Sequence, residues 1–411
     1  MIGMDIMEME NDNKKLFFRL LFAFLISRAA FVIIYFVARA IMNTNDSFEV
    51  MFGRWDALRY INLAEHGYTL PVVPDEPQNN WAFFPLYPLL CMGLRFITFG
   101  IIPTFYIGMI ISNVCIFAAA FLAVKTVRMT GLTKNERDFY VRPNPDGNRV
   151  TDFFNGIFKD GMLIAWFMFM GPFTMYMGTA YTEGTYILFI VLSFFLMKKR
   201  RFFLAGLAVA GAGATRNMGV LLVVPLLIEM YTDWIHTTGR RNIFRFIGHI
   251  FATPVKLLSV IITPIGTFSY MLFLYFFCGD ALAFKNVQIA WRTEEHFPII
   301  GVLADAIGIK SDIYHKLLGW VCIGAIAIFI YMLIRRMYSE AVFGGLTLAV
   351  PLTSAVMSTP RFITGDYVIW LGAYDIIARQ NHVGRVITCS AFAAVEVVLT
   401  YMWISGNVGM I

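Results

Sequence analysis

Residues 103–124, PTFYIGMIISNVCIFAAAFLAV, hold no charged side chain and run directly into Lys125 and Arg128. A helix that crosses a bilayer needs about 20 mostly apolar residues, and this stretch is long enough. The pattern returns on both sides of it. An earlier apolar run covers 16–42, behind the basic pair Lys14–Lys15. Later runs cover 161–179, 185–197, 202–214, 219–231, 257–278, 317–334, 341–357, 367–378 and 386–403. The composition agrees, with 58% hydrophobic residues and only 15% charged. Soluble domains carry about a quarter charged residues. The expected fold is therefore an all-α polytopic membrane protein. Residues 1–411 form one transmembrane domain of about 10–13 spanning helices, with the lipid bilayer as its solvent.

The formal net charge is +6, and its placement carries more information than its sum. Basic residues gather at Lys14–Lys15, 125–149, 198–201, 240–245, 335–336 and 379–385. Short loops rich in Lys and Arg stay cytoplasmic, so these clusters read as topology and not as a nucleic-acid surface. The spans alternate consistently if residues 83–99, interrupted by Pro85 and Pro88, do not cross fully. On this reading 43–82 is a first extracytoplasmic loop, 125–160 a cytoplasmic loop and 280–316 a second large extracytoplasmic loop. The first apolar run is too long for a cleavable signal and lacks a small-residue cleavage site. Cys91, Cys115, Cys278, Cys322 and Cys389 stand singly, without CxxC or metal-ligand spacing, and read as small hydrophobes.

The polar chemistry gathers on the extracytoplasmic side. Arg54-Trp55-Asp56 is followed by Arg59, Tyr60, Glu65 and His66, and on a helix Asp56 and Tyr60 share a face. A carboxylate beside an aromatic ring at the membrane surface suits a general base over a sugar-like substrate. It also suits an interfacial helix anchored by Trp55 and Tyr60. Residues 82–88, AFFPLYP, place Tyr87 between two prolines in an apolar stretch, as in a Pro-kinked helix or a covered break. Tyr181-Thr182-Glu183 and Thr215-Arg216-Asn217 both lie where outward-going helices end. Glu183 and Arg216 fit a mutual bridge, and Arg216 equally fits a phosphate, which its planar fork binds bidentately. Gln288 and Trp291-Arg292 suit a sugar stacked on indole with a cation alongside, or a surface anchor. Arg361, in Pro360-Arg361-Phe362, is a further outer arginine. The six histidines form no helical metal pair. A divalent ion could use Asp56, Glu65 or Glu183, though no spacing demands one.

Taken in order, RWDALRYINLAEHGY, WAFFPLYPLL, TAYTEGTYILF, AGAGATRNMGVLLVVPLL and GDALAFKNVQIAWR resemble the PIG-V family of membrane mannosyltransferases, of the GT-C superfamily. A shorter PRF match follows near the C-terminus. The matching segments span residues 51–362, and the ordered set is more specific than any one motif. The resemblance implies a GT-C-like bundle and an inverting transferase. Such an enzyme moves a hexose, usually mannose, from a polyprenyl-phosphate sugar to a glycan or glycolipid acceptor outside the cytoplasm. The expected location is the bacterial plasma membrane, with the active face outward. The resemblance makes Asp56 the general base. It places Trp55, Arg59, Tyr60, Glu65, His66, Tyr87, Glu183, Arg216, Gln288, Trp291, Arg292 and Arg361 at substrate-binding positions. Arg59 stands where the family often has histidine, and the 125–160 loop is longer than the family's usual one. A non-catalytic subunit that scaffolds other membrane enzymes is a second competing reading, and a transporter or flippase of a lipid-linked sugar is the main one. It predicts polar groups near mid-membrane and repeat symmetry, whereas only Arg28 lies deep in a span and no repeat is evident.

Overall fold

The computed structural model describes residues 2–70, 80–136, 148–290, 299–309, 311, 313–353, 356 and 359–406. Among them the protein is wholly helical, with no strand. Five helices are long and apolar enough to cross a membrane: Glu10–Met42, Thr104–Met129, Asn217–Thr238, Ile313–Ile334 and Val383–Ile404. A sixth candidate is the pair Ile243–Ala252 and Pro254–Ile261, bent by 96° at Thr253. Side chains on the outside of the long helices are exposed and apolar, among them Val32, Ile33, Phe36, Ile330, Ile387 and Val398. An exposed belt of this kind is a lipid-facing surface. The chain is a multi-pass integral membrane protein.

The remaining apolar helices are shorter and differ in how far they are enclosed. Glu183–Lys198 has 16 residues, Phe202–Thr215 has 14 and Tyr367–Ala378 has 12. Every residue of Tyr367–Ala378 except Ile376 is buried, the condition of a helix that is apolar nearly all round, its one charged residue, Asp375, being ion-paired. Asp366 starts it by accepting the Val368 N–H at 3.0 Å, and Arg379 closes it.

Two expected spans are broken where the sequence forbids continuous hydrogen bonding. The 161–179 run forms helix Met162–Met170, a turn, and the four-residue helix Met175–Gly178. Gly171-Pro172 interrupts it, and Phe173 adopts φ 66°. The 257–278 run is divided at Thr263-Pro264 into Pro254–Ile261 and Ile265–Cys278. Proline removes a donor and crowds the preceding turn, so both breaks have one cause.

Residues 83–99 form a helix of only 12 residues, Leu86–Ile97, about 18 Å long at 1.5 Å per residue. The helix lies antiparallel to the first part of Thr104–Met129. Its Tyr87 hydroxyl donates to the Gly108 carbonyl at 2.9 Å and lies 3.1 Å from Ser112 Oγ. It is shorter than the roughly 30 Å hydrocarbon core, and Tyr87 ties its start to the first half of its neighbour. The two large loops also meet. Tyr270 donates to the Trp81 carbonyl at 2.7 Å, and Trp81, Phe84, Tyr270 and Phe284 share one apolar cluster.

Polar groups collect at the two ends of the bundle. At one end Arg128 pairs with Asp12, and Lys198 pairs with Glu229 and Glu340. Arg335 and Arg379 pair with Asp375 at that same end. The opposite end holds Asp56, Glu183, Arg216 and Arg361.

Candidate functional site

Asp56 is the first residue of helix Asp56–His66, and Trp55 before it turns the chain at φ 57°. A non-glycine residue at positive φ costs on the order of 1–3 kcal/mol and persists only where its surroundings enforce it. Here Tyr181 supplies much of that enforcement. Its hydroxyl donates to the Arg54 carbonyl at 3.1 Å and accepts the Asp56 N–H at 3.2 Å. The helix N-terminus also favours a negative side chain at this position.

Tyr181 is itself fixed by the short segment between Met175–Gly178 and Glu183–Lys198. Ser112 donates to its carbonyl at 2.7 Å, Asn113 to the Gly178 carbonyl at 3.1 Å, and Thr179 to the Phe52 carbonyl at 2.8 Å. Close approach makes this possible. A Cβ at Gly184 would stand 2.5 Å from the Ser112 carbonyl oxygen. The crossing thus leaves Glu183 at the head of its helix, aimed at the Asp56 region.

Four ionic side chains from four elements then meet. Arg361, on Thr359–Thr364, donates from Nε to Glu183 and from Nη1 to Asp56. Arg216, which ends Phe202–Thr215, donates from Nη1 to Glu183 at 2.7 Å. The Arg361 guanidinium lies 4.7 Å from the Tyr181 ring centre, and that of Arg216 lies 4.7 Å from Phe362. Two carboxylates and two guanidiniums give the cluster no net charge. Burial disfavours the cation on Arg361, but Glu183 and Asp56 outweigh it and hold its pKa well above the usual value. Burial also pushes the Tyr60 phenol up, which leaves it a neutral hydroxyl 3.2 Å from Thr182 Oγ1. Within the cluster Glu183 is 1% exposed and both arginines 11%, whereas Asp56 keeps 33% of its side chain open. Asp56 is the member that an incoming molecule can reach.

The structure therefore brings together Asp56, Tyr60, Glu183, Arg216 and Arg361, with Tyr87 stacked edge-on to Tyr60 at 5.4 Å. Others in the sequence-derived set lie elsewhere. Glu65 and His66 close the far end of the Asp56–His66 helix, where Glu65 accepts from Thr104 at 2.5 Å. Nine residues of helix place Glu65 about 13 Å along the axis from Asp56. Trp55 lines a separate cleft of about 500 Å³ with Arg54 and Leu58, and Gln288 donates to the Phe284 carbonyl. Arg59 is partly buried on the Asp56 helix. Trp291 and Arg292 lie outside the described residues. Among the described residues no three His, Cys, Asp or Glu side chains converge as a metal set. Asp56 and Glu183 are both engaged by arginine, and Glu65 stands apart.

Sequence reasoning quoted Tyr181 and Thr182 in a motif but assigned them no part. The signal was their place directly before Glu183 at a helix start. Compared with known proteins, the chain matches no family model and no curated protein.

Proposed function

We propose that this protein is a membrane hexosyltransferase, mannosyltransferase-like, using a polyprenyl-phosphate sugar as donor at the face that carries Asp56. One observation carries the reading. A part-exposed carboxylate stands at a helix N-terminus at the boundary of a membrane bundle, fixed there by a buried Arg–Glu–Arg arrangement. The resemblance of the ordered motifs to the PIG-V family supports it, and so does the convergence of four of their ionic residues on one point.

In this mechanism the acceptor hydroxyl lies against Asp56, which takes its proton as the oxygen attacks the anomeric carbon. The bond from that carbon to the phosphate oxygen breaks on the opposite face, inverting the configuration and releasing polyprenyl phosphate. The transition state is oxocarbenium-like. A phosphate leaving group departs without protonation, stabilised by preorganised donors, here the arginine N–H groups that the carboxylates leave unused. Arg361 orients Asp56, and the buried Glu183 holds both arginines in place. By the positive-inside rule the Lys- and Arg-rich end faces the cytoplasm and the Asp56 end faces outward. In a bacterial cell this is the outer side of the plasma membrane.

The test is incubation of the purified protein in detergent with polyprenyl-phosphate mannose and a panel of glycan and glycolipid acceptors. Acceptor-dependent release of polyprenyl phosphate with transfer of the sugar is the expected result. Donor that stays intact with every acceptor removes the enzyme reading.

A further inference from the structure

Arg28 lies on the first helix, 14 residues before its end at Met42, about 21 Å along the axis at 1.5 Å per residue. Among the described residues none of its three guanidinium nitrogens has a hydrogen-bond partner, and all three are buried. Two aromatic rings flank it, with the Phe24 and Phe31 ring centres at 4.8 and 5.0 Å. Glu396 is the acidic residue whose charge reaches it, but that carboxylate is spent elsewhere. Glu396 accepts from the Thr174 N–H at 3.2 Å, the Thr174 hydroxyl at 3.0 Å and the Thr400 hydroxyl at 3.4 Å. A cation within a membrane segment is costly and ordinarily finds a partner or marks a ligand.

Arg28 lines a cleft of about 340 Å³ whose other walls include Phe31, Val32, Ile110 and Asn113. Val32 and Ile110 are each 45% exposed, so the cleft opens on the surface that faces lipid. Asn113 spends its amide nitrogen on the Met109 and Gly178 carbonyls, and its Oδ1 has no donor. Among the described residues the three guanidinium nitrogens thus lack an anion and the Asn113 Oδ1 lacks a hydrogen, in a cleft whose other walls, Tyr106 aside, are apolar. A singly protonated phosphate on a long hydrocarbon chain supplies all of these. The cleft is connected through the chain to the Asp56 cluster. A Cβ at Gly178 would lie 2.7 Å from Arg28 Nη1, and Gly178 opens the short segment that ends in Tyr181 and Glu183. The cluster itself is charge-neutral, whereas among the described residues Arg28 has an acid within electrostatic reach, Glu396, but no hydrogen-bonded counter-ion.

We infer that the Arg28 cleft binds the phosphate of a membrane lipid from within the bilayer, with the tail lying over Val32 and Ile110. Naming that lipid as an isoprenoid phosphate, the donor's carrier, rests on the function proposed above; the cation and the cleft do not. The occupancy is read by native mass spectrometry of the detergent-solubilised protein titrated with polyprenyl phosphate. Wild-type protein retains the lipid, polyprenol without phosphate binds weakly, and inorganic phosphate does not compete. Arg28→Gln lowers affinity about tenfold or more, as loss of a charge-assisted contact does. Ile110→Trp, which fills the cleft and leaves Arg28 in place, weakens binding as well.

Retention within about twofold of wild type by Arg28→Gln, or full competition by inorganic phosphate, overturns the inference. So does recovery of wild-type lipid retention in Arg28→Gln/Glu396→Gln, which would make Arg28 a structural partner of Glu396. Sugar transfer by wild type with unaltered lipid binding in Arg28→Gln sinks the cleft and spares the enzyme reading. Arg28-dependent lipid binding without any sugar transfer does the reverse.

Discussion

At the scale of single residues, the site depends on how one guanidinium is shared. Arg361 spans Asp56 and Glu183 with two different nitrogens, and an ammonium cannot hold that planar fork. Arg361→Lys should cost turnover at least about tenfold, the equivalent of one charge-assisted hydrogen bond. Arg216→Lys, which has a single nitrogen on Glu183 to replace, should cost clearly less. Equal losses in the two, measured as sugar transfer, would remove Arg361 as the residue that orients Asp56. Asp56→Asn keeps shape and loses basicity, so turnover should fall by about 10²-fold or more while thermal unfolding is little changed. Near-normal transfer in this variant would move the base elsewhere. Glu183→Gln should be the variant that damages folding, because breaking a buried pair typically costs about 3–5 kcal/mol. A lowered unfolding temperature in detergent checks this. These residues were legible because ionic side chains at the ends of apolar runs have few reasons to be there. Glu65 and His66 drew notice by the same chemistry, but only helix length, which carries them away from Asp56, could separate them out; Gln288 is instead spent on the Phe284 carbonyl of its own segment.

Among the elements, the short Gly178–Glu183 crossing matters more than any full span. It is held by Asn113, Ser112 and Thr179, and it in turn positions Tyr181 against the start of the Asp56 helix. The long apolar helices were readable from hydropathy alone. The crossing was not, because its surroundings are set by contacts between residues far apart in the chain. The breaks at Gly171-Pro172 and Thr263-Pro264 were written in the sequence, yet length of apolar run outweighed them in the span assignment. Two glycines separate packing from propensity. Gly184→Ala puts a Cβ 2.5 Å from a backbone oxygen on the neighbouring helix, while Gly93→Ala, on Leu86–Ile97, meets nothing within 4 Å. The first should destabilise by about 1–3 kcal/mol, as overpacking does. The second should be stabilising by up to about 1 kcal/mol through helix propensity. Thermal unfolding of both variants checks the pair, and a harmless Gly184→Ala would mean that the crossing has slack the close approach to Ser112 does not suggest.

For the whole molecule, two polar ends separated by an apolar bundle define a direction across the membrane. The Lys198 end carries Lys14, Lys15, Arg128, Arg335 and Arg379 with their carboxylate partners; the ionic cluster at the Asp56 end holds two acids and two bases. Positive-inside statistics assign the first to the cytoplasm. The parity of the early spans then turns on Leu86–Ile97. If it crossed, the chain between Met129 and Arg149 would lie outside with its basic residues, against the rule. At about 18 Å it falls short of the roughly 30 Å hydrocarbon core, and Tyr87 ties its start to Gly108 and Ser112 on the Thr104 half of the next helix. Short peptide tags supply the measurement. A tag inserted at Asn45, in the exposed stretch before Phe48–Phe52, should bind an impermeant antibody on intact cells. So should one inserted after Lys310, a position outside the described residues. A tag at Asn144, also outside the described residues, should bind only after the membrane is permeabilised. External binding at Asn144 would make Leu86–Ile97 part of a true crossing. It would also place the loop between Met129 and Arg149 on the same side as Asp56, and the orientation argued for the site would then have to be abandoned.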